Sequence, residues 1–162
     1  MSLMAHILIQ RTASISACGR YRYELTRDWA PGNRLAFVMF NPSTADAEMD
    51  DPTVRRCMAF ARREGYGGIT IANVYAFRAK KPADLFKAED PFGPDNEETL
   101  RRLATDFDVI VCAWGSLGAP NSVVTAYLRS GRAVLKCLGR TKDGHPRHPL
   151  YVRGDQPLLA FA

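Results

Sequence analysis

The sequence predicts an α/β fold: a three-layer α/β/α arrangement around a four-stranded, mainly parallel central sheet, with an antiparallel hairpin on its N-terminal side. Three observations carry this. Four short apolar runs, at residues 35–40, 69–75, 109–114 and 133–138, are rich in residues that suit a buried strand. Segments with helical spacing of apolar residues separate them. Such alternation implies parallel strands joined by crossover helices that cover both faces of the sheet.

The elements follow in order. Residues 5–28 hold His6-Ile7-Leu8-Ile9, a turn at Cys18-Gly19, and Tyr21-Arg22-Tyr23-Glu24-Leu25-Thr26. The last six alternate as a half-exposed strand does, so the segment reads as a hairpin. Pro31-Gly32-Asn33 breaks the chain before the 35–40 strand, and Pro42, which cannot donate to a ladder, ends that strand near Asn41. Asp51 suits a helix N-cap and Pro52 the first helical position. Val54, Cys57, Met58 and Ala61 then share a face, Arg55, Arg56, Arg62 and Arg63 lie on the other side, and Gly65, Gly67 and Gly68 end the helix. A helical turn is expected at 82–86, a helix at 94–106 with Leu100, Leu103, Ala104 and Phe107 at helical spacing, and another at 121–130. From Gly139 the chain is polar and loop-rich.

At 162 residues, 46% hydrophobic and 24% charged, the chain has the composition of one ordinary globular domain, 1–162, with its hairpin at 5–28 and its α/β core at 34–152. No apolar stretch approaches the roughly 18 to 20 residues of a membrane span, and the N-terminus lacks a signal-peptide pattern, so a cytoplasmic protein without a membrane partner is expected. The four cysteines are far apart and three of them fall in elements that read as buried, so they suggest small hydrophobes rather than disulfides or a zinc site. A net charge of +5 permits contact with nucleic acid or a phosphorylated ligand without demanding it.

In an open α/β sheet, ligands bind at the carboxyl ends of the strands. Here the first strand ends in Asn41-Pro42-Ser43, the second carries Asn73, the third ends in Trp114-Gly115, and the fourth leads into Thr141-Lys142-Asp143-Gly144-His145-Pro146-Arg147-His148-Pro149-Leu150. A parallel sheet puts all four ends on one edge. Asn41 can also serve simply as a turn opener, and a neighbouring backbone can satisfy Asn73. Either His145 or His148 suits a general acid or an oxyanion donor near neutral pH. Metal binding by the two histidines is the weaker reading, because no third ligand is obvious and Cys137 is one only on paper, so no metal or other cofactor is expected. Asp46, Glu48, Asp50 and Asp51 could hold Mg²⁺ but read better as helix-start chemistry. The arginine face, Arg56 included, reads as a solvated face or as a phosphate-tracking surface.

Three motifs, N-P-S-T-A-D at 41–46, D-P-T-V-R-R-C at 51–57 and T-K-D-G-H-P-R-H-P-L at 141–150, resemble a family of uncharacterised bacterial and phage proteins defined only as a domain of unknown function. More remotely, their order resembles the uracil-DNA glycosylase superfamily. Phe40-Asn41-Pro42-Ser43 is similar to that superfamily's G-x-N-P-G or G-Q-D-P-Y strand end, which implies that Asn41 positions a water. Asn73 resembles the strand-end Asn that reads a uracil edge, and Ala113-Trp114-Gly115 a later Trp-Gly. His145-Pro146-Arg147-His148-Pro149-Leu150 is similar to an H-P-S-P-L motif with one extra residue, which implies that His145 or His148 stabilises charge on the base. The chain departs from the pattern in having Met39 rather than Gly two residues before Asn41, and Ser43 after the proline. The resemblance implies a nucleobase- or nucleotide-recognising protein that hydrolyses an N-glycosidic bond, acting on DNA or a nucleotide. Asn41, His145 and His148 would be catalytic, and Ser43, Asn73, Trp114, Arg56, Lys142 and Arg147 would bind substrate. The alternatives are a non-catalytic nucleic-acid or nucleotide-binding module and a small-molecule nucleotide hydrolase or transferase.

Overall fold

A computed structural model describes residues 8–161. It is an α/β structure with a mixed seven-stranded sheet and four helices. The strands are β1 (Gln10–Ile15), β2 (Arg22–Asp28), β3 (Arg34–Met39), β4 (Gly68–Asn73), β5 (Val109–Cys112), β6 (Val134–Cys137) and β7 (Leu159–Ala160). The helices are α1 (Pro52–Arg63), α2 (Pro82–Leu85), α3 (Asn96–Asp106) and α4 (Asn121–Leu128). The strand order is β1-β2-β4-β3-β5-β6-β7. The pairs β3–β4, β3–β5 and β5–β6 are parallel. The antiparallel pairs β1–β2, β2–β4 and β6–β7 flank them. Residues 5–7 of the expected hairpin lie outside the described residues.

Two apolar cores sit on opposite faces of the sheet. Leu35, Phe37, Met39, Ile69, Ile71 and Val111 meet α1 through Val54, Cys57, Met58, Phe60 and Ala61. Ala36, Val38, Ala72, Ile110, Cys112 and Leu135 meet α3 and α4 through Leu100, Leu103, Val124 and Leu128. Strict alternation along β3, β4 and β5 sends successive side chains to opposite cores, which is why both faces must be covered. Asp51 caps α1, accepting from the Val54 amide at 2.9 Å, with Pro52 in the first turn. Among the described residues no helix is long and apolar enough to cross a membrane.

Two features differ from the sequence-based expectation. The expected outward position Arg22 of β2 is not outward: it is buried at 3% exposure, and Arg27, just past the alternating six, is buried too at 0%. Their heads both reach the 45–50 segment, although strict alternation would send positions 22 and 27 to opposite faces. The segment after Pro149 also contains a strand. β7 pairs with β6, and Phe161 packs edge-on to Trp114 at 5.6 Å. Two residues are too short a strand to leave a period.

Candidate functional site

The carboxyl ends of β3 and β4 meet under the 41–51 loop. Asn41 is half-buried, and its Nδ2 donates to the carbonyls of Pro42 at 3.0 Å and Ala79 at 2.8 Å. That amide nitrogen fixes the turn, leaving the side-chain oxygen as the polar atom available for other work. Ser43 is half-buried in the same turn. Asn73 closes β4 opposite Met39, is 1% exposed, and has no hydrogen-bond partner for either Nδ2 or Oδ1 among the described residues. Period-two alternation puts it on the face of Ile69 and Ile71, the face that α1 covers. The backbone around it is secured from behind, because Asn96 Nδ2 donates to the carbonyls of Asn73 and Val74, both at 2.9 Å. The unpartnered amide therefore sits on a fixed strand end.

The acidic loop is accounted for residue by residue. Asp46 accepts from the amides of Glu48 and Met49, which hold its carboxyl below the usual range. Asp50 pairs with Arg27 at 2.6 Å, and Asp51 caps α1. Glu48 is exposed. Among the described residues no three His, Cys, Asp or Glu side chains gather as a metal would require.

The 139–152 loop arrives from the other side. Arg140 and Pro146 form an antiparallel bridge, and a turn at Thr141–Gly144 closes it. The Gly115 amide donates to the Pro146 carbonyl at 2.8 Å, which lays the loop across the end of β5. Gly115 has φ +70°, and a Cβ there would stand 3.6 Å from that of His148. His148 Nδ1 accepts from the Leu150 amide at 3.1 Å, so in the neutral ring the proton is on Nε2. Burial lowers the His148 pKa below its ordinary 6.5, and the nearby Asp51 carboxylate partly opposes this. His145 has a different environment. Trp114 Nε1 donates to Asn121 Oδ1 at 2.6 Å, and Asn121 Nδ2 in turn meets His145 Nδ1 at 2.9 Å. With Oδ1 accepting from the indole, the Asn121 amide is the donor to His145, whose ring is thereby tied to the start of α4.

A pocket of about 280 Å³ opens between the end of β5 and the 139–152 loop, lined by Trp114, Gly115, Ser116, Leu117, Thr141, Arg147, His148 and Tyr151; Asn41, Ser43 and Asn73 are not among its lining residues. It brings together three of the expected residues: Trp114, Arg147 and His148. Arg147 Nε also donates to the Arg140 carbonyl at 3.2 Å. Lys142 is exposed at the loop tip. Arg56 donates to the Pro149 carbonyl at 3.1 Å and to that of Val152, and Arg63 to the carbonyls of Gly154 and Gln156. The arginine face of α1 thus clamps the C-terminal segment. A second concavity of about 330 Å³ lies at the opposite edge, beside Asn33, Arg34, Tyr66, Asp108 and Arg132. Its charges pair with protein groups, Arg132 with Asp108 and Arg34 with Asp28, so it offers a ligand less than the carboxyl edge does.

Residues 22–150 match the family described as "Protein of unknown function (DUF1643)". The chain belongs to this family. No curated protein and no solved structure matches the chain. The family match spans β2 to Leu150, so it takes in both Asn73 and the His148 loop. Two participants are not singled out by the sequence pattern, and only the first of them falls within the match. Arg22 was read as one more polar position of an alternating strand. The signal that could have found it is the acidic 46–51 stretch, which has no basic residue of its own to answer it. Tyr151, 81% exposed with its ring 5.5 Å from His148, lies one residue beyond the family match and looks like loop in any pattern.

Proposed function

We propose that the carboxyl edge of the sheet recognises a nucleobase and hydrolyses the N-glycosidic bond that carries it. The observation that supports this most is the Asn73 amide: one donor and one acceptor, 1% exposed and both unpartnered, on a strand end that Asn96 holds still. A buried polar group left without partners is costly, and native proteins seldom keep one without a use. An amide donor beside an amide acceptor complements a base edge that presents the reverse pair. The remote resemblance to uracil-DNA glycosylases, in strand order of motifs, points the same way.

In this scheme Asn41 holds a water through its side-chain oxygen, its nitrogen being engaged in the turn. His148 donates from Nε2 to the charge that develops on the departing base, and its lowered pKa favours the neutral donor at pH 7. Ser43 and Trp114 border the base, while Arg147 and Lys142 face phosphates. A base within duplex DNA would have to be flipped into this edge.

Base release from uracil-containing single- and double-stranded DNA and from free nucleotides tests hydrolysis, with Asn41→Ala as control. Release above that variant is expected; equal release sinks the hydrolytic step. Recognition is tested apart from it, by equilibrium binding of nucleosides to the wild type and to Asn73→Leu, where discrimination among bases should vanish. A second reading, binding without hydrolysis, draws on the Asn41 bonds to Pro42 and Ala79, which suit a purely structural turn. It requires that binding survive His145→Ala and His148→Ala.

A further inference from the structure

The two buried arginines of β2 differ in a way that has a chemical meaning. Arg27 is saturated: Nε pairs with Asp50 at 2.6 Å, and its terminal nitrogens donate to the carbonyls of Thr26, Asp46 and Met49. Its charge is neutralised and its donors are spent, which is the form a structural buried arginine takes. Arg22 is not saturated. It is 3% exposed, its Nη1 donates to the Ala45 carbonyl at 2.6 Å, and its Nε has no acceptor among the described residues. No described carboxylate stands within ion-pair distance of it. The Asp51 and Asp46 carboxylates act on it from a distance, each already engaged with backbone amides, and Arg27 and Arg78 add positive charge. Burial accordingly pulls the guanidinium down to about 10, which still leaves it charged at neutral pH.

A buried guanidinium with a carbonyl on one arm and an empty Nε edge is half of a bidentate oxyanion site. Arg22 comes from the strand beside β4, and its own amide donates to the Ala76 carbonyl, three residues past Asn73. Its side chain reaches the 41–51 loop at the Ala45 carbonyl.

We propose that Arg22 pairs with the terminal phosphate of a free mononucleotide, so that the ligand of this edge is a nucleoside monophosphate rather than a bare base or a polymer. The proposal rests on Asn73 reading the base. Depth decides between the two phosphate sources. A diester in a nucleic acid continues on both sides, and reaching a 3%-exposed guanidinium would bury both neighbours as well. A monoester ends the molecule and needs room for one group. It also carries more charge than a diester, which suits a site whose existing charge is positive and unpaired.

The test is calorimetric binding of the four nucleoside monophosphates, the matching nucleosides, inorganic phosphate and an unphosphorylated single-stranded oligonucleotide. One monophosphate should bind at least about tenfold tighter than its nucleoside, the scale of one charge-assisted bidentate contact. Arg22→Gln should remove that difference and keep nucleoside binding. Arg22→Lys, which keeps the charge and loses the fork, should fall between them. Asn73→Leu should abolish the choice among bases while the gain from phosphate persists. Equal binding of nucleoside and monophosphate by the wild type overturns the Arg22 site and leaves the base reading standing. Inorganic phosphate binding with no nucleoside or nucleotide binding overturns the base reading and the nucleotide with it. Tighter binding of the oligonucleotide than of any monophosphate overturns the choice of a free ligand. The wild-type comparison alone decides the matter if Arg22→Gln fails to fold.

Discussion

Individual side chains at this edge divide into those that hold the frame and those left with something to offer. Asn73 leaves both atoms of its amide without a partner, whereas Asn96 leaves only its oxygen. Asn96 is wholly buried and spends its amide nitrogen on two carbonyls, so Asn96→Ala should cost about 2–3 kcal/mol, counting two lost bonds and two unmet acceptors, read from urea unfolding. A cost near zero would mean that the β4 end does not depend on it. His148 makes a prediction in pH. Its folded pKa lies below 6.5, its ordinary value, because burial disfavours the charged ring. The unfolded chain therefore takes up the proton first on acidification. The resulting stability is complete above pH 6.5 and is lost as the pH falls through the folded pKa. His148→Asn keeps an acceptor for the Leu150 amide and removes the titration. Its urea midpoint should fall less than the wild type's between pH 7 and pH 5; an identical slope would show that His148 does not titrate differently in the two states.

At the scale of elements, α1 both packs the sheet and carries the site. Its apolar face fills one core, while Arg56 and Arg63 reach the carbonyls of the 149–156 segment, which follows directly on His148. Arg56→Ala should therefore leave β3 and β4 intact and raise amide exchange in residues 148–152 by about tenfold, the signature of local opening. Unchanged exchange there would refute the clamp. The sequence made much of this architecture legible. The apolar runs at β3 and β4, the Asp51-Pro52 start of α1 and the spacing of Val54, Cys57, Met58 and Ala61 are local signals, written in adjacent residues. Phe60 escaped notice because Arg56 and Arg63 cover its ring, at 5.2 and 5.0 Å, on the side a helical pattern assigns to solvent. The site was legible as a list of strand ends and not as a set of partners. Nothing in T-K-D-G-H-P-R-H-P-L says that His145 turns to Asn121 while His148 turns to the pocket, since that depends on a bridge between Arg140 and Pro146 and on a long-range bond from Gly115. Arg22 lay hidden for the same reason, because its partner is a carbonyl 23 residues away.

For the molecule as a whole, the sheet is finished at each end by chain that runs against its parallel strands. On one side β7 covers the edge of β6 and drops Phe161, 5% exposed, onto Trp114, whose indole in turn holds Asn121 and through it His145. Phe161→Ala should cost about 3 kcal/mol as a buried aromatic truncation, by thermal or urea unfolding, and should perturb the His145 ring resonances in an NMR spectrum. A large loss of stability with unshifted His145 signals would break the proposed link. On the other side stand β1 and β2, joined to the rest by an exposed turn at Ala30-Pro31-Gly32-Asn33. Both buried arginines come from this side, and both reach over to grip the 45–50 segment: Arg22 at Ala45, and Arg27 at Asp46, Met49 and Asp50. The chain thus writes the supports of its loop before it writes the loop. During synthesis the hairpin presents both cations before the β3–α1 connection emerges to receive them. A protein nicked at the exposed turn would then be a two-piece lock, in which the larger fragment carries Asn41, Asn73 and His148 but shapes their loop only when the smaller one is returned.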